Sequence, residues 1–224
     1  MSTLLVDDGI DMCKYLPISK CMPAVHVDSP SITFLHVPRT AGTSIGIWLM
    51  KHQPAAVWFD HPTLDEIKQQ HNVVFSFSVV RNPWDRMVSM YHHINNLLEK
   101  ADPSMDQMKQ ALLSSNQGYF QTKFSFEQFV QDLHTLEIPK GIFRQNYPMA
   151  TTQYDYTQGV DLVLKHETLE QNFGVIQQML SDYTPLDIIN TSKHDHYKTY
   201  YNSATRDRIA VLFAADIEQW QYQF

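Results

Sequence analysis

The chain has 224 residues, a formal net charge of −7 at pH 7 and 43% hydrophobic residues. This length favours one domain with a well-buried core, and the hydrophobic content excludes a largely disordered chain. General nucleic-acid binding needs a basic surface, so the acidic balance argues against a nucleic-acid partner.

The beginning of the chain shows no clear periodicity. We expect an arm or lead-in over residues 1–30, followed by a single domain over residues 31–224. Cys13 and Cys21 are the two cysteines, and two thiols make neither a disulfide framework nor a metal site of their own. The segment lacks the apolar stretch of a signal peptide or membrane anchor, so we expect a soluble, cytoplasmic protein with no membrane partner.

From Ser31 onward, short β-prone runs alternate with amphipathic helices, which favours an α/β fold with a central parallel sheet flanked by helices. The run 73–80 is almost continuously apolar, as expected for a central strand that is buried on both faces. Strands are predicted over residues 32–37, 56–59, 73–80 and 160–164. Helices are predicted over residues 43–51, 63–70, 85–98, 105–115, 125–133, 169–180 and 203–220.

A polar turn joins the first of these strands to the first helix, and it reads Val37-Pro-Arg-Thr-Ala-Gly-Thr-Ser44. At such a junction the backbone amides and the helix N-terminus can converge on an anion, here the 5′-phosphate of a nucleotide. Gly42 allows close backbone approach, while Thr43 and Ser44 add hydroxyl donors. The turn lacks the GxxxxGK[ST] spacing of a nucleoside-triphosphate loop, which weakens a kinase or hydrolase interpretation. An ordinary strand-to-helix turn with a threonine cap is the alternative.

A second candidate anion site begins at Arg81, which directly follows the strand predicted over residues 73–80. Burial of its guanidinium without an anionic partner would be costly. Ser89 lies about two helical turns later, so the two side chains could grip one phosphate. Asp85 and Arg86 are the competing structural partners. Two separate phosphate sites favour a nucleotide that is phosphorylated at both ends of its ribose, such as 3′-phosphoadenosine 5′-phosphosulfate (PAPS).

Both segments resemble motifs of the PAPS-dependent sulfotransferases, in the branch that contains the carbohydrate sulfotransferases. Residues 34–45 resemble the family's 5′-phosphosulfate loop, approximately hxHVPKTAGTS, and residues 75–91 resemble its 3′-phosphate motif, approximately VRNPWDRhVSxY. Weaker similarities to the family's RPQ, ENL, N-x-S and D-I-x-x-F-G-Y-x-F segments follow at residues 143–145, 163–169, 190–197 and 216–224. The resemblance runs from residue 31 to the end of the chain, and it implies the P-loop-like sulfotransferase fold.

The resemblance implies PAPS as co-substrate, 3′,5′-ADP as product and no metal. The residues that it assigns to nucleotide binding are Arg39, Thr40, Ala41, Gly42, Thr43, Ser44, Arg81, Ser89 and Lys193. Arg39 also receives a catalytic role, because its cation would stabilise charge on the leaving 5′-phosphate. Many members of this branch have lysine there, and an arginine donates its proton less readily. Protein-tyrosine sulfotransferases are similar in using arginine, so the departure does not exclude activity.

His61, between the two motifs, is the predicted general base toward the acceptor. The ordinary pKa of histidine suits this role, and heparan 2-O-sulfotransferases are similar in placing a catalytic histidine in this interval. A surface or N-capping histidine ahead of Pro62 is the alternative, and His92 or His93 could face the acceptor instead.

The acceptor is expected to be a hydroxyl, or an amine, of a small molecule or saccharide, with residues 99–123 helping to form its pocket. The lack of an anchor favours a bacterial-type enzyme of secondary metabolism. A P-loop nucleotide kinase and a non-catalytic nucleotide-binding protein are the remaining alternatives. Preference for ATP with magnesium would support the first, and bound 3′,5′-ADP without transfer would support the second. The oligomeric state is not legible in the sequence.

Overall fold

The chain forms two compact units. The first is built from Met1–Val80 and Thr157–Asn190, and the second from Arg81–Tyr156 and Thr191–Phe224. The interpretation of residues 31–224 as one domain stays a prediction. The computed structural model describes residues 24–53, 56–59, 64–99, 106–121, 123–138, 147–187, 189 and 194–224.

The elements of the described residues follow the predicted alternation of strands and helices. The strands are β1 (Ala24–Asp28), β2 (Ser31–Leu35), β3 (Val57–Phe59), β4 (Phe75–Val80), β5 (Glu137–Ile138), β6 (Tyr147–Pro148) and β7 (Leu162–Lys165). The helices are α1 (Gly42–His52), α2 (Leu64–Lys68), α3 (Pro83–Glu99), α4 (Asp106–Ser115), α5 (Phe126–Asp132), α6 (Gln153–Tyr156), α7 (Leu169–Asn172), α8 (Gly174–Leu180), α9 (Ser203–Leu212) and α10 (Ala214–Trp220). Among these residues, no helix combines the length and the apolar character that crossing a membrane requires.

The first unit contains a five-stranded sheet in the order β3-β1-β2-β4-β7. The predicted parallel sheet is confirmed in β2, β4 and β7, whereas β1 pairs antiparallel with both β2 and β3. β1 was not predicted, because residues 1–30 were expected to form only a lead-in. Its run Ala24–Val27 is entirely buried, although His26 interrupts the apolar pattern by which a buried strand is recognised.

The core of the first unit lies on both faces of this sheet, since neighbouring strand residues point to opposite sides. Phe34 belongs to the larger cluster, which includes Trp48 of α1, residues of α7 and α8, and Phe173 between these two helices. The ring of Trp48 meets the ring of Phe173 edge-on at 5.1 Å. Leu35 belongs to a smaller cluster with Leu64 and Ile67 of α2. The sheet is therefore covered by helices on both faces, as an α/β fold requires.

The second unit is mainly helical, and the buried side chains of α3 contribute to its core. Tyr91 of α3 packs against an aromatic cluster formed by Phe124, Phe126 and Phe129, with ring centroids between 5.4 and 5.9 Å from its own. The predicted capping box at the start of α5 is confirmed, because Ser125 and Gln128 exchange side-chain and backbone hydrogen bonds. This packing fixes the face of α3 that is turned inward.

Two helices predicted as continuous are each divided in two. The helix expected over residues 169–180 is α7 and α8, which meet at Phe173, and the helix expected over residues 203–220 is α9 and α10, which meet at Phe213. Phe213 leaves helical geometry at φ −114° and ψ 31°, and its ring is completely buried. On either side of this turn, α9 buries Ile209 and α10 buries Asp216.

Candidate functional site

The predicted 5′-phosphate loop joins β2 to α1 in the first unit, and its backbone is unusual. Arg39 and Ala41 both lie in the left-handed region, with φ of 70° and 73°. This region costs a residue with a Cβ roughly 1–2 kcal/mol, so the surrounding structure must impose it. Ala41 is also the N-cap of α1 and gives the helix no side-chain cap. Left-handed residues directly before a helix turn successive amides inward, which creates an anion-binding concavity.

The hydroxyl groups in the loop brace the chain. Thr40 is completely buried, and its Oγ1 donates to the carbonyl oxygen of Val37 at 2.7 Å. The Ser44 hydroxyl donates to the carbonyl oxygen of Ile189 at 3.3 Å and accepts from the backbone N–H of Ile189 at 2.9 Å. Thr43 is half-buried at the start of α1. The arrangement therefore points to backbone amides, with the half-buried Arg39, as the groups that could meet an anion.

Arg81, the first residue of the second unit, carries the candidate 3′-phosphate site. Its Nε donates to Oδ2 of Asp85 at 2.8 Å, and the two side chains are only 12% and 18% exposed. The structural partner considered in the sequence is therefore present, and it orients the guanidinium along α3. Ser89 follows at the next four-residue step, so it shares this helix face with Asp85, and it is completely buried.

The residues between Arg81 and Ser89 build the start of α3. Asn82 is its N-cap, because Oδ1 accepts from the backbone N–H of Trp84 at 3.0 Å and Pro83 takes the first helical position. The Asn82 side chain also donates to the carbonyl oxygen of Gln223 at 2.9 Å. The Asn-Pro-Trp part of the motif is thus explained by helix initiation and by anchoring of the C-terminal segment.

Arg86 belongs to the core of the second unit. It is completely buried, and its guanidinium lies 5.7 Å from the ring centroid of Phe213 while Nη1 donates to the carbonyl oxygen of Thr151 at 3.3 Å. Burial lowers the pKa of Arg86, and the carboxylate of Asp216 acts in the opposite direction. Burial likewise raises the pKa of Asp216, which Arg86 counteracts. The two charges therefore compensate each other inside the unit.

His92 lies one turn beyond Ser89 on α3. Its ring stacks on His194 at 5.3 Å and meets Tyr200 edge-on at 5.1 Å. Its Nε2 is buried and has no hydrogen-bond partner among the described residues. Burial lowers the pKa of His92, the neighbouring His194 lowers it further, and Asp195 acts in the opposite direction. This histidine is therefore held in its neutral form near pH 7, as a proton acceptor must be.

Several residues predicted for the site lie outside the described residues, namely His61, Lys193 and the segment 143–145 with Arg144. Their assignments stay predictions. Of the remaining site residues, residues 39–44 span the turn before α1 and the first residues of that helix, Arg81 lies two residues before α3, and Ser89 lies within α3. The sequence analysis did not identify Gln153 or Asp216 as site residues. Gln153 hydrogen-bonds to the backbone of Arg81, and Asp216 hydrogen-bonds to Gln153.

A histidine and aspartate cluster lies elsewhere in the first unit. His26 Nε2 is 3.2 Å from Oδ1 of Asp28, and His71 Nδ1 is 4.0 Å from the same oxygen. The three ligand atoms lie within 4.8 Å of one another, whereas two nitrogen ligands of one tetrahedral zinc ion are about 3.4 Å apart. In this arrangement the two histidine rings make a tilted contact with centroids 4.8 Å apart beside the Asp28 carboxylate, and a metal would require the side chains to close further.

The model of the Sulfotransferase family matches residues 24–223, and the chain therefore belongs to this family. The match begins at the first residue of β1. No curated protein sequence gave a significant match. Among solved structures, the chain is similar to a sulfotransferase from Alicyclobacillus acidocaldarius, with 12% identity and a TM-score of 0.31 over 77% of this chain. The alignment spans 59% of that protein's chain.

Proposed function

We propose that this protein transfers the sulfuryl group of PAPS to a hydroxyl or amine of a small-molecule or saccharide acceptor and releases 3′,5′-ADP. Family membership supports sulfuryl transfer as the reaction class. The observation that carries the donor assignment is the loop before α1, where Arg39 and Ala41 are held in the left-handed region ahead of a helix without a side-chain cap. Strain of this kind is retained where a backbone must present its amides in one direction.

The loop is assigned to the 5′ end of the donor. In the proposed reaction the acceptor atom forms a bond to sulfur while the bond from sulfur to the bridging phosphate oxygen breaks, and that oxygen leaves with the electron pair. Negative charge therefore grows on the 5′-phosphate during the step. The amides at the start of α1 and the cation of Arg39 would stabilise this charge, and preorganised donors of this kind supply much of the rate enhancement in related group transfers.

Arg81 and Ser89 are assigned to the 3′-phosphate. The ion pair with Asp85 holds Nε of Arg81 and thereby sets the direction of the guanidinium fork. A fork fixed in this way can bind phosphate oxygens with less loss of side-chain entropy than a freely rotating lysine. Lys193, outside the described residues, is proposed to add a further cation to the nucleotide.

His61 remains the proposed general base, and it would accept the proton that the acceptor loses as its bond to sulfur forms. Its position lies outside the described residues, so the assignment rests on the sequence. His92 is the rival for this role, because burial beside His194 keeps it neutral and its Nε2 makes no hydrogen bond to any described residue. Substitution of each histidine separates the two assignments.

The donor assignment is tested by calorimetric titration with 3′,5′-ADP, 5′-AMP, ADP and ATP without added metal. Charge-assisted hydrogen bonds contribute about 1.5–3 kcal/mol each, so two contacts to the 3′-phosphate predict a preference of roughly 100-fold or more over 5′-AMP. Equal affinities, or a preference for ATP, would contradict the proposal and favour the kinase alternative. Binding of 3′,5′-ADP without transfer from PAPS to any of a broad set of acceptors would support the non-catalytic alternative.

A further inference from the structure

The side chain of Gln153 makes two hydrogen bonds to the backbone of Arg81. Its Oε1 accepts from the backbone N–H of Arg81 at 2.8 Å, and its Nε2 donates to the carbonyl oxygen of Arg81 at 2.7 Å. Gln153 is completely buried at the start of α6. One amide therefore satisfies both backbone groups of Arg81, as a neighbouring β-strand would, at the residue that precedes the N-cap of α3.

Gln153 is itself held in place by Asp216 of α10. Oδ2 of Asp216 accepts from the backbone N–H of Gln153 at 3.0 Å and from its Nε2 at 3.1 Å, while Oδ1 accepts from the backbone N–H of Tyr154 at 2.9 Å. Because a carboxylate only accepts, these bonds fix which end of the Gln153 amide is the NH₂ group. The buried charge of Asp216 is compensated by Arg86, which lies five residues after Arg81.

The guanidinium of Arg81 is fixed at its other end by Asp85. The backbone from which this side chain projects is fixed by Gln153. A rotation about that backbone would carry the long side chain with it, and a misplacement of about 1 Å at a binding group can cost on the order of 100-fold in catalysis. Both restraints are therefore needed to keep the fork in one orientation.

We propose that Gln153 and Asp216 are positioning residues for the 3′-phosphate contact of Arg81. The inference rests on the proposed function, since it assumes that Arg81 binds this phosphate. These two buried residues follow Arg81 by 72 and 135 positions in the chain. Through Arg81 they would help to select nucleotides that carry a 3′-phosphate. A purely structural network would instead stabilise the second unit without favouring one nucleotide over another.

The test compares the affinities for 3′,5′-ADP and 5′-AMP in the Gln153→Met protein, which keeps a similar volume but loses both bonds to Arg81. We expect the affinity for 3′,5′-ADP to fall by roughly 10- to 100-fold and the affinity for 5′-AMP to change by less than about twofold. Asn116→Ala is the matched control. Asn116 is a buried amide that bridges both backbone groups of Glu137 at 2.8 and 3.0 Å, so its loss removes equivalent bonds away from Arg81.

A double-mutant cycle distinguishes a role of Gln153 in positioning Arg81 from a purely structural role. If Gln153 acts through Arg81, then Gln153→Met should have little further effect on 3′,5′-ADP affinity once Arg81→Ala is present. Equal losses for both nucleotides, no loss in a folded variant, or additive effects in the cycle would overturn the inference. If the Gln153→Met protein does not fold, the affinities for 3′,5′-ADP and 5′-AMP are compared in the Asp216→Asn protein instead. A wild-type protein without preference for 3′,5′-ADP would overturn the proposed function as well.

Discussion

The imidazole of His36 lies directly against Gly42. A Cβ placed on Gly42 would be 1.8 Å from Cδ2 and 2.1 Å from Nε2 of that ring. The ring cannot swing away easily, because His36 is only 5% exposed and stacks near Phe34 with centroids 6.2 Å apart. The sequence predicted that this glycine permits close approach to an anion. The structure adds a second reason, which is the space that the ring of His36, the residue directly after β2, already occupies.

We therefore expect Gly42→Ala to destabilise the protein. Overpacking a closed site of this kind typically costs about 1–3 kcal/mol in the free energy of unfolding. Equilibrium unfolding in urea measures the loss. Gly174→Ala is the control, since a Cβ at this helical glycine would lie 4.0 Å from Oε1 of Gln177, an ordinary contact distance, and alanine favours helix. An unchanged unfolding midpoint for Gly42→Ala would show that His36 can move aside.

Arg81→Ala should weaken binding of 3′,5′-ADP selectively. Loss of a charge-assisted contact worth about 1.5–3 kcal/mol corresponds to roughly a 10- to 150-fold lower affinity, with little change for 5′-AMP. Arg206→Ala is a suitable control, because Arg206 lies in the same unit and its side chain is 44% exposed in a surface pair with Asp207. The 3′-phosphate assignment fails if both arginine variants bind the two nucleotides as the wild type does.

Local patterns in the sequence were enough to predict the elements that carry the candidate site. The apolar run Phe75–Val80 forms a strand with five of its six residues buried, as its composition indicated. The helix after it begins at an asparagine cap followed by proline, two residues with known preferences for these positions. β1 was not predicted, because a buried strand that contains His26 has neither an unbroken apolar run nor a regular alternation of apolar and polar residues.

The network beneath Arg81 could not be predicted, because its members are far apart in the chain. Gln153 lies in a polar stretch without periodicity, and nothing local indicates that its amide faces the Arg81 backbone. One signal was present at Asp216. This acidic residue follows Phe213 by three positions and therefore falls on the buried face of the C-terminal helices, where an unpaired carboxylate would be costly. The pattern predicts a cationic partner for Asp216, but only the fold identifies this partner as Arg86.

His61→Ala should lower the turnover of PAPS while leaving 3′,5′-ADP affinity within about twofold of the wild type, because a general base affects proton transfer and not donor binding. The rate of the wild type should rise with pH as the base loses its proton, and this rise should disappear in the variant. The same measurements on His92→Ala test the alternative assignment of the general base. If His92→Ala abolishes the pH-dependent rise and His61→Ala does not, the base is the histidine on α3.

The stability of the protein should decrease in mild acid because of His26. Burial lowers the pKa of His26 below its ordinary value of 6.5, His71 lowers it further, and Asp28 opposes the shift. The unfolded chain therefore binds a proton that the folded chain resists, so the stabilising contribution is complete above pH 6.5 and is lost as pH falls through the lower folded pKa. Urea unfolding from pH 8 to about 5 measures this slope. His26→Gln should reduce the slope of the free energy of unfolding against pH, whereas His134→Gln, at an exposed histidine, should not. An equal slope in the wild type and in His26→Gln would contradict the assignment.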